Sequence, residues 1–276
     1  MTGDCLVGCI LIRYNKMQIC LKGLYVMRKI SDMAYGEYPL QKIDFYLPDS
    51  DCFDLFVYFH GGGFKAGDKT RQSWIYEYLA EHGVAAASVN YRMYPDAKYP
   101  DFIEDCASAV AFARKEAPKY GTVKKTFIGG SSAGGYASML LCFDYSWLGA
   151  HSISPEEMGG FFHDAGQPTV HFNVLIEKGI DKRRIIVDET APLYHIQADK
   201  NYPPMQFIVS DNDIQNRYEQ IMLTISTLKH FGVDEKLIDC KLMHSTHTAY
   251  RDWKDENDQS VYGKMIYDFI EWCNSL

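Results

Sequence analysis

The sequence predicts an α/β fold in which a mostly parallel central sheet is flanked by helices. From about residue 41 onward, short β-rich runs alternate with amphipathic stretches, the pattern of strands joined by crossover helices. Several of the β-rich runs are apolar throughout, as expected of strands that helices cover on both faces. A length of 276 residues suits one domain of this class with an insertion that roofs its pocket.

The predicted elements can be placed along the chain by these runs and by helical spacing. The predicted strands cover residues 42–47, 55–59, 84–89, 126–128, 160–163 (a weaker candidate), 205–210 and 238–243. The predicted helices cover residues 71–82, 101–117, 133–142, 216–231 and 260–273.

Composition limits the partners and the compartment. The formal net charge is −8 and the isoelectric point is near 5.6. The Lys and Arg residues are scattered, so neither a nucleic acid nor a membrane surface is expected as partner, and a neutral small-molecule substrate is favoured. The eight cysteines form no CxxC pair, and most lie in apolar runs. We therefore expect reduced, structural thiols and a cytoplasmic protein.

The N-terminus permits two interpretations. Residues 5–12 are apolar, but no basic stretch precedes them and basic residues follow, which does not fit a signal peptide. Residues 1–34 are either a structural element or a loosely packed extension, with Met27 or Met33 near the start of the domain. We predict a catalytic domain at 35–276.

Residues 143–201 differ from the rest of the chain. They carry aromatic and polar side chains without clear periodicity, and they fall between the helix predicted at 133–142 and the next strong strand. We predict that this segment faces the substrate and roofs the pocket.

The strongest local motif is the glycine-rich run at residues 129–135, which contains G-x-S-x-G centred on Ser132. It follows a predicted strand and opens a predicted helix, the context that a strained nucleophile elbow requires. Ser131 is the alternative nucleophile, but only Ser132 has glycines two residues before and after it.

A second motif, His60-Gly61-Gly62-Gly63-Phe64, follows the strand at 55–59. Backbone amides of Gly62 and Gly63, with that of Ala133, would form an oxyanion hole for acyl transfer. An ordinary glycine-rich turn or a phosphate loop is the other interpretation. The phosphate loop lacks its GK[ST] or GxGxxG continuation.

A serine nucleophile needs a histidine base and an acid, here expected in the chain order Ser, Asp, His. Asp211 and Asp213 follow the strand at 205–210, and His244 and His247 follow the strand at 238–243. We favour Asp213 and His247, because each lies a few residues beyond its strand and can reach back to Ser132. Asp211 and His244 remain alternatives. No metal or organic cofactor is expected.

Together these motifs resemble the hormone-sensitive-lipase-like and feruloyl- and acetyl-esterase-like branch of the α/β-hydrolases. The resemblance runs from about Tyr35 to the C-terminus and includes the stretches at 41–48 and 90–95. It departs from the branch at 165–172, and at Ser210, where a glycine commonly precedes the acid. The resemblance implies an α/β-hydrolase fold with its catalytic machinery, and it is less specific for substrate. The segment at 143–201 is polar and aromatic where long acyl chains would need a continuous apolar surface, so we expect hydrolysis of short-chain, acetyl-like esters.

Two other functions use the same residues or the same scaffold. An amide or arylformamide hydrolase would need the same three side chains. A non-catalytic binding protein on a hydrolase scaffold is possible in principle because fold does not fix function. Such proteins typically lose one of the three side chains, whereas this sequence retains candidates for all of them.

Overall fold

A computed structural model of the protein describes residues 10–14, 17–22 and 25–276, with side chains from Met27 onward. Its strands are β1 (Ile10–Tyr14), β2 (Met17–Lys22), β3 (Tyr25–Ala34), β4 (Lys42–Leu47), β5 (Cys52–Phe59), β6 (Val84–Val89), β7 (Thr122–Ser131), β8 (Gly160–Asp164), β9 (Met205–Asn212) and β10 (Ile238–Thr246). Its α-helices are α1 (Ser73–Glu81), α2 (Asp101–Glu116), α3 (Ala133–Phe143), α4 (Tyr145–Gly149), α5 (Phe172–Glu177), α6 (Arg217–His230) and α7 (Val261–Ser275).

The described strands form one sheet in the order β1-β2-β3-β4-β6-β5-β7-β8-β9-β10. Strands β5 to β10 pair in parallel, and β1 to β4 continue the sheet by antiparallel pairing. The predicted α/β class with a mostly parallel central sheet is confirmed. Because parallel strands all end at the same edge, the loops after β5, β7, β8, β9 and β10 meet there.

The two faces of the sheet pack against different helices, and β5 shows how its sequence satisfies both. Leu55, Val57 and Phe59 belong to the layer that contains α2 and α3. Phe56 and Tyr58 belong to the layer that contains α1 and α7. Because neighbouring side chains of a strand point to opposite faces, an unbroken apolar run is what a strand between two helical layers requires.

The sheet begins before the boundary expected from the sequence. Strand β3 pairs with β4, placing Arg28 opposite Leu47 and Ile30 opposite Phe45. Strand β3 therefore places part of the segment at 1–34 in the sheet, as a structural element. Most of the apolar run at 5–12 lies outside the described residues.

Residues 143–201 do not form one continuous roof. Strand β8 lies inside this segment and pairs with β7 on one side and β9 on the other. Phe161, Phe162 and His163 are completely buried in the core. The strand signal of β8 in the sequence is weak because only five residues are extended. Burial on both faces also removes the alternation of polar and apolar side chains.

The cysteines whose side chains are described are free thiols. Cys106, Cys142 and Cys273 are buried, whereas Cys52 and Cys240 are exposed. Burial raises the pKa of Cys106 and Cys142 well above the usual value, so both thiols remain protonated near neutral pH.

Over the described part of the chain, the helices are too short or too polar to cross a membrane.

Candidate active site

Ser132 occupies the sharp turn between β7 and α3. Its backbone has φ 57° and ψ −111°, a conformation that costs energy for a residue with a side chain. The Ser132 amide donates to the carbonyl of Asp164 at 2.8 Å, and its own carbonyl accepts from the amide of Tyr136 at 2.9 Å. These bonds hold the strained turn between the end of β8 and the first turn of α3.

The two glycines that flank Ser132 are needed because the backbone packs tightly around them. A Cβ atom added to Gly130 would lie 2.5 Å from the carbonyl carbon of Gly134. One added to Gly134 would lie 2.0 Å from the carbonyl oxygen of Phe59, at the end of β5. The G-x-S-x-G pattern thus reports the close approach of β7, α3 and β5 behind the serine.

Ser132, His247 and Asp213 lie in one hydrogen-bonded chain. His247 Nε2 is 2.9 Å from Ser132 Oγ, and His247 Nδ1 is 2.6 Å from Asp213 Oδ1. The Asp213 carboxylate also accepts from the amides of Ile214 at 2.6 Å and Ser210 at 3.5 Å. Its side chain is 1% exposed and that of His247 is 24% exposed, so the pair is largely shielded from water.

The alternative acid and base form a separate pair. His244 Nδ1 lies 2.6 Å from Asp211 Oδ2, with side chains 85% and 44% exposed. This pair makes no hydrogen bond to Ser132 in the described part of the structure. The other candidate nucleophile, Ser131, is completely buried. The structure therefore brings the favoured member of each pair to Ser132.

The loop that carries the three glycines lies beside Ser132. Gly62 and Gly63 have φ of 119° and 65°, and the Gly62 carbonyl accepts from the amide of Ala66 at 3.1 Å. Asn173 Nδ2 donates to the carbonyl of Gly63 at 2.5 Å. Among the described residues, the amides of Gly62 and Gly63 donate no hydrogen bond. The amide of Ala133, at the start of α3, has no acceptor within its own helix.

The stretch after β6 braces this loop from behind. Asn90 Oδ1 accepts from the amide of Lys69 at 2.5 Å, and Tyr91 Oη donates to the carbonyl of His60 at 2.6 Å. The His60 ring stacks on Tyr91 with centroids 4.4 Å apart. Burial lowers the pKa of His60 to about 4, so its ring is neutral at neutral pH. His60 therefore supports the loop as a packed, uncharged side chain.

A cavity of about 400 Å³ opens beside Ser132 and His247. From the predicted roof at 143–201, only Phe172 lines it. Phe172 and Ile214 also line a neighbouring groove of about 490 Å³, to which residues 182–185 contribute. The cavity is lined by Tyr58, His60, Gly61, Gly62, Gly63, Arg71, Gln72, Tyr76, Ser132, Phe172, Ile214, His247, Thr248, Ala249, Arg251 and Asp252.

Sequence reasoning missed the buried polar cluster behind the elbow. The two oxygens of Asp164 accept from the hydroxyls of Tyr250 and Tyr262, the latter at 2.6 Å. Burial raises the pKa of Asp164 and opposes its charged form. The signal available in the sequence was the acidic residue Asp164, immediately after the strand predicted at 160–163. Arg251, in the cavity wall, belongs to no motif that could have drawn attention to it.

Sequence comparisons match the region around the glycine loop and the elbow. The BD-FAE family model matches residues 43–152. The chain is 27% identical over 139 residues to a kynurenine formamidase of Danio rerio, covering 49% of this chain and 45% of that protein. It is 34% identical over 91 residues to the hormone-sensitive lipase of Homo sapiens, covering 32% and 8%. The chain thus matches less than half the length of these relatives.

A solved structure extends the likeness across the fold. A truncated carbohydrate esterase from gut microbiota superimposes with a TM-score of 0.74 at 18% identity, over 90% of this chain and 96% of that one. The chain is therefore an α/β-hydrolase by fold. The matched relatives include hormone-sensitive lipases, to which the chain is similar over about a third of its length.

The close contact behind the elbow can be tested with Gly134→Ala. The new methyl group would collide with the Phe59 carbonyl, so we expect a loss of about 1–3 kcal/mol in the free energy of unfolding. Gly149→Ala is the matched control, since a Cβ there meets nothing within 4 Å. Denaturant unfolding measures both variants. Equal midpoints for Gly134→Ala and the unmodified protein would contradict the close packing.

Proposed function

We propose that the protein hydrolyses carboxylic esters, with Ser132 as nucleophile, His247 as general base and Asp213 as the acid that orients the histidine. The observation that carries this proposal is the chain of hydrogen bonds from Ser132 Oγ through His247 to Asp213, at 2.9 and 2.6 Å. The cavity beside it gives a small ester access to the serine.

The first half of the proposed reaction forms an acyl-enzyme. His247 Nε2 takes the hydroxyl proton of Ser132 as the oxygen attacks the ester carbon, and then delivers that proton to the departing alkoxide. Asp213 accepts a hydrogen bond from Nδ1–H of His247, which fixes the tautomer in which Nε2 is unprotonated and faces Ser132. The same carboxylate stabilises the imidazolium as it forms.

The second half releases the acid. His247 takes a proton from water, the resulting hydroxide attacks the acyl carbon, and the proton returns to Ser132 Oγ as the carboxylic acid leaves. In both halves the carbonyl oxygen becomes negative. The amides of Gly62, Gly63 and Ala133 are proposed to hold it, and each such donor lowers the barrier by roughly 2.7–4 kcal/mol.

Formamide hydrolysis is the second candidate, favoured by the likeness to a kynurenine formamidase. The same three side chains serve both reactions, and an amide differs in needing a protonated nitrogen leaving group. Turnover of phenyl acetate and of formanilide by the same preparation separates the two candidates.

We also propose a cytoplasmic location, which the free, buried Cys106 and Cys142 favour.

We further propose a short acyl group, acetyl to about butyryl, on a small or carbohydrate-like alcohol. The wall of the cavity beside Ser132 carries the polar groups of Arg71, Gln72 and Arg251, with Asp252 at its side, next to the apolar Phe172 and Ile214. A long alkyl chain in this cavity would leave those polar groups without hydrogen-bond partners.

A series of p-nitrophenyl esters tests the acyl length. Each methylene that reaches an apolar groove improves kcat/KM by about fourfold, because its burial contributes roughly 0.8 kcal/mol. Without such a groove this gain is absent, so we expect kcat/KM to fall beyond butyrate. A decanoate turned over about tenfold more efficiently than acetate would reveal a long acyl channel.

Ser132→Ala tests the nucleophile. Losing one oxygen removes the attacking atom but leaves packing intact, so kcat should fall by about 10⁴ or more with unfolding unchanged. The variant should also resist labelling by a fluorophosphonate. Ser131→Ala is the control, since Ser131 is buried and lies outside the cavity lining. Near-native turnover by Ser132→Ala would exclude the assignment.

The two Asp–His pairs provide a matched test of the base. His247→Ala should reduce kcat about as much as Ser132→Ala, because the hydroxyl loses its proton acceptor. His244→Ala removes a similar His–carboxylate contact that is exposed, and should leave both kcat and the midpoint of unfolding close to those of the unmodified protein. Asp213→Asn and Asp211→Asn repeat the comparison for the acid. If Asp211→Asn were the more damaging, the acid would be misassigned.

A further inference from the structure

Arg251 lies in the wall of the cavity, close to the proposed nucleophile. It belongs to a single 3-10 turn, Ala249–Asp252, that begins two residues after His247. A Cβ atom added to Gly61 would lie 3.1 Å from Ser132 Cβ and 3.5 Å from Arg251 Nη1. A single methyl group at Gly61 would therefore contact both the side chain of Ser132 and the guanidinium of Arg251.

Most of the hydrogen-bonding capacity of Arg251 is unused. A guanidinium has five N–H donors. Within the described structure, Arg251 donates one hydrogen bond, from Nη2 to Gln72 Oε1. Its Nε is buried without a partner. No described carboxylate lies within 4 Å of the guanidinium, whereas Arg92, Arg114 and Arg183 each have a carboxylate within that distance.

The two nearest acidic residues are engaged by other side chains. The oxygens of Asp164, behind the elbow, accept from the hydroxyls of Tyr250 and Tyr262. Asp252 Oδ1 accepts from Gln72 Nε2 at 2.7 Å, and the side chain is exposed. Gln72 thus bridges Arg251 and Asp252 through its two amide atoms. A second cation, Arg71, is exposed at the cavity rim.

We propose that the cavity selects esters that carry a carboxylate a short spacer away from the scissile carbonyl, with Arg251 as the residue that binds this carboxylate. This inference rests on the proposed ester hydrolysis and names its substrate class. Arg251 is a specificity-determining residue in this scheme, and Gln72 fixes the plane of its guanidinium.

The chemistry of the two groups explains the selection. A half-buried guanidinium has lost part of its hydration, and a carboxylate restores it through two parallel charge-assisted hydrogen bonds. A neutral ester of the same shape leaves those donors unsatisfied. The protein carries a net charge of −8, so its overall field repels anions. A carboxylate would therefore be attracted by the local charge of Arg251 and not by the protein as a whole.

The first experiment uses the unmodified protein and isosteric substrate pairs. The carboxylate is placed on the leaving group in 4-acetoxybenzoate, with 4-acetoxybenzamide as the neutral partner. It is placed on the acyl group in phenyl hemisuccinate, with phenyl succinamate as the neutral partner. For at least one pair, kcat/KM should favour the anion by about tenfold or more, and the favoured pair identifies the side of the ester that Arg251 contacts.

Arg251→Gln and Arg251→Lys then test the residue. We expect the ratio of kcat/KM for the anion over its neutral partner to fall about tenfold or more in Arg251→Gln, and Arg251→Lys to restore part of it. Arg71→Gln is the matched control for a general positive field, and should change the ratio by less than about threefold. An equal loss in Arg71→Gln would show that the general positive charge at the cavity rim, and not a specific contact with Arg251, causes the preference.

The outcomes separate this inference from the proposed function. Hydrolysis of the neutral esters without preference for either anion would overturn the carboxylate site and leave the esterase intact. Failure to hydrolyse any of the four esters, together with no fluorophosphonate labelling, would overturn both. If Arg251→Gln fails to fold, the ratios in the unmodified protein still decide.

Discussion

The site depends on one steric constraint, the close approach of three backbone segments behind Ser132. Gly130 at the end of β7, Gly134 in the first turn of α3 and the carbonyl of Phe59 at the end of β5 are in contact without intervening side chains. This approach sets the serine at the sheet edge with a strained backbone. It also brings the end of β5, and hence the glycine loop, to the same edge.

The fold could be predicted well where burial leaves a clear pattern. Strands β4 and β6 match the predicted runs at both ends, because β6 is buried throughout and β4 is buried from Ile43 to Leu47. Strand β7 is longer than predicted, since Thr122, Lys124 and Lys125 near its start are polar and exposed and interrupt the hydrophobic pattern. Strand β3 was missed for a related reason. It extends the antiparallel side of the sheet, where its side chains are only partly buried.

The sequence identified the kind of site more securely than its substrate. The elbow and the glycine loop were predictable because each needs glycines at fixed spacing around a strand end. The choice between two Asp–His pairs could be weighed only by distance from the strand. Burial separates them in the structure, since Asp213 is shielded and Asp211 is exposed. Arg251 could not be predicted to line the cavity, because its position depends on the path of the loop after β10. No sequence motif indicates that path.

The short stretch from His247 to Arg251 carries two of the functions proposed for the site. His247 lies two residues before the turn and contacts Ser132, and Arg251, within the turn, lines the same cavity. An insertion or deletion between them would displace the proton acceptor and the cation by different amounts. The length of this loop is therefore fixed by two requirements at once. Under the roles proposed for these residues, a substitution at Arg251 would change the preference for substrate charge, whereas a change in loop length would alter that preference and proton transfer together.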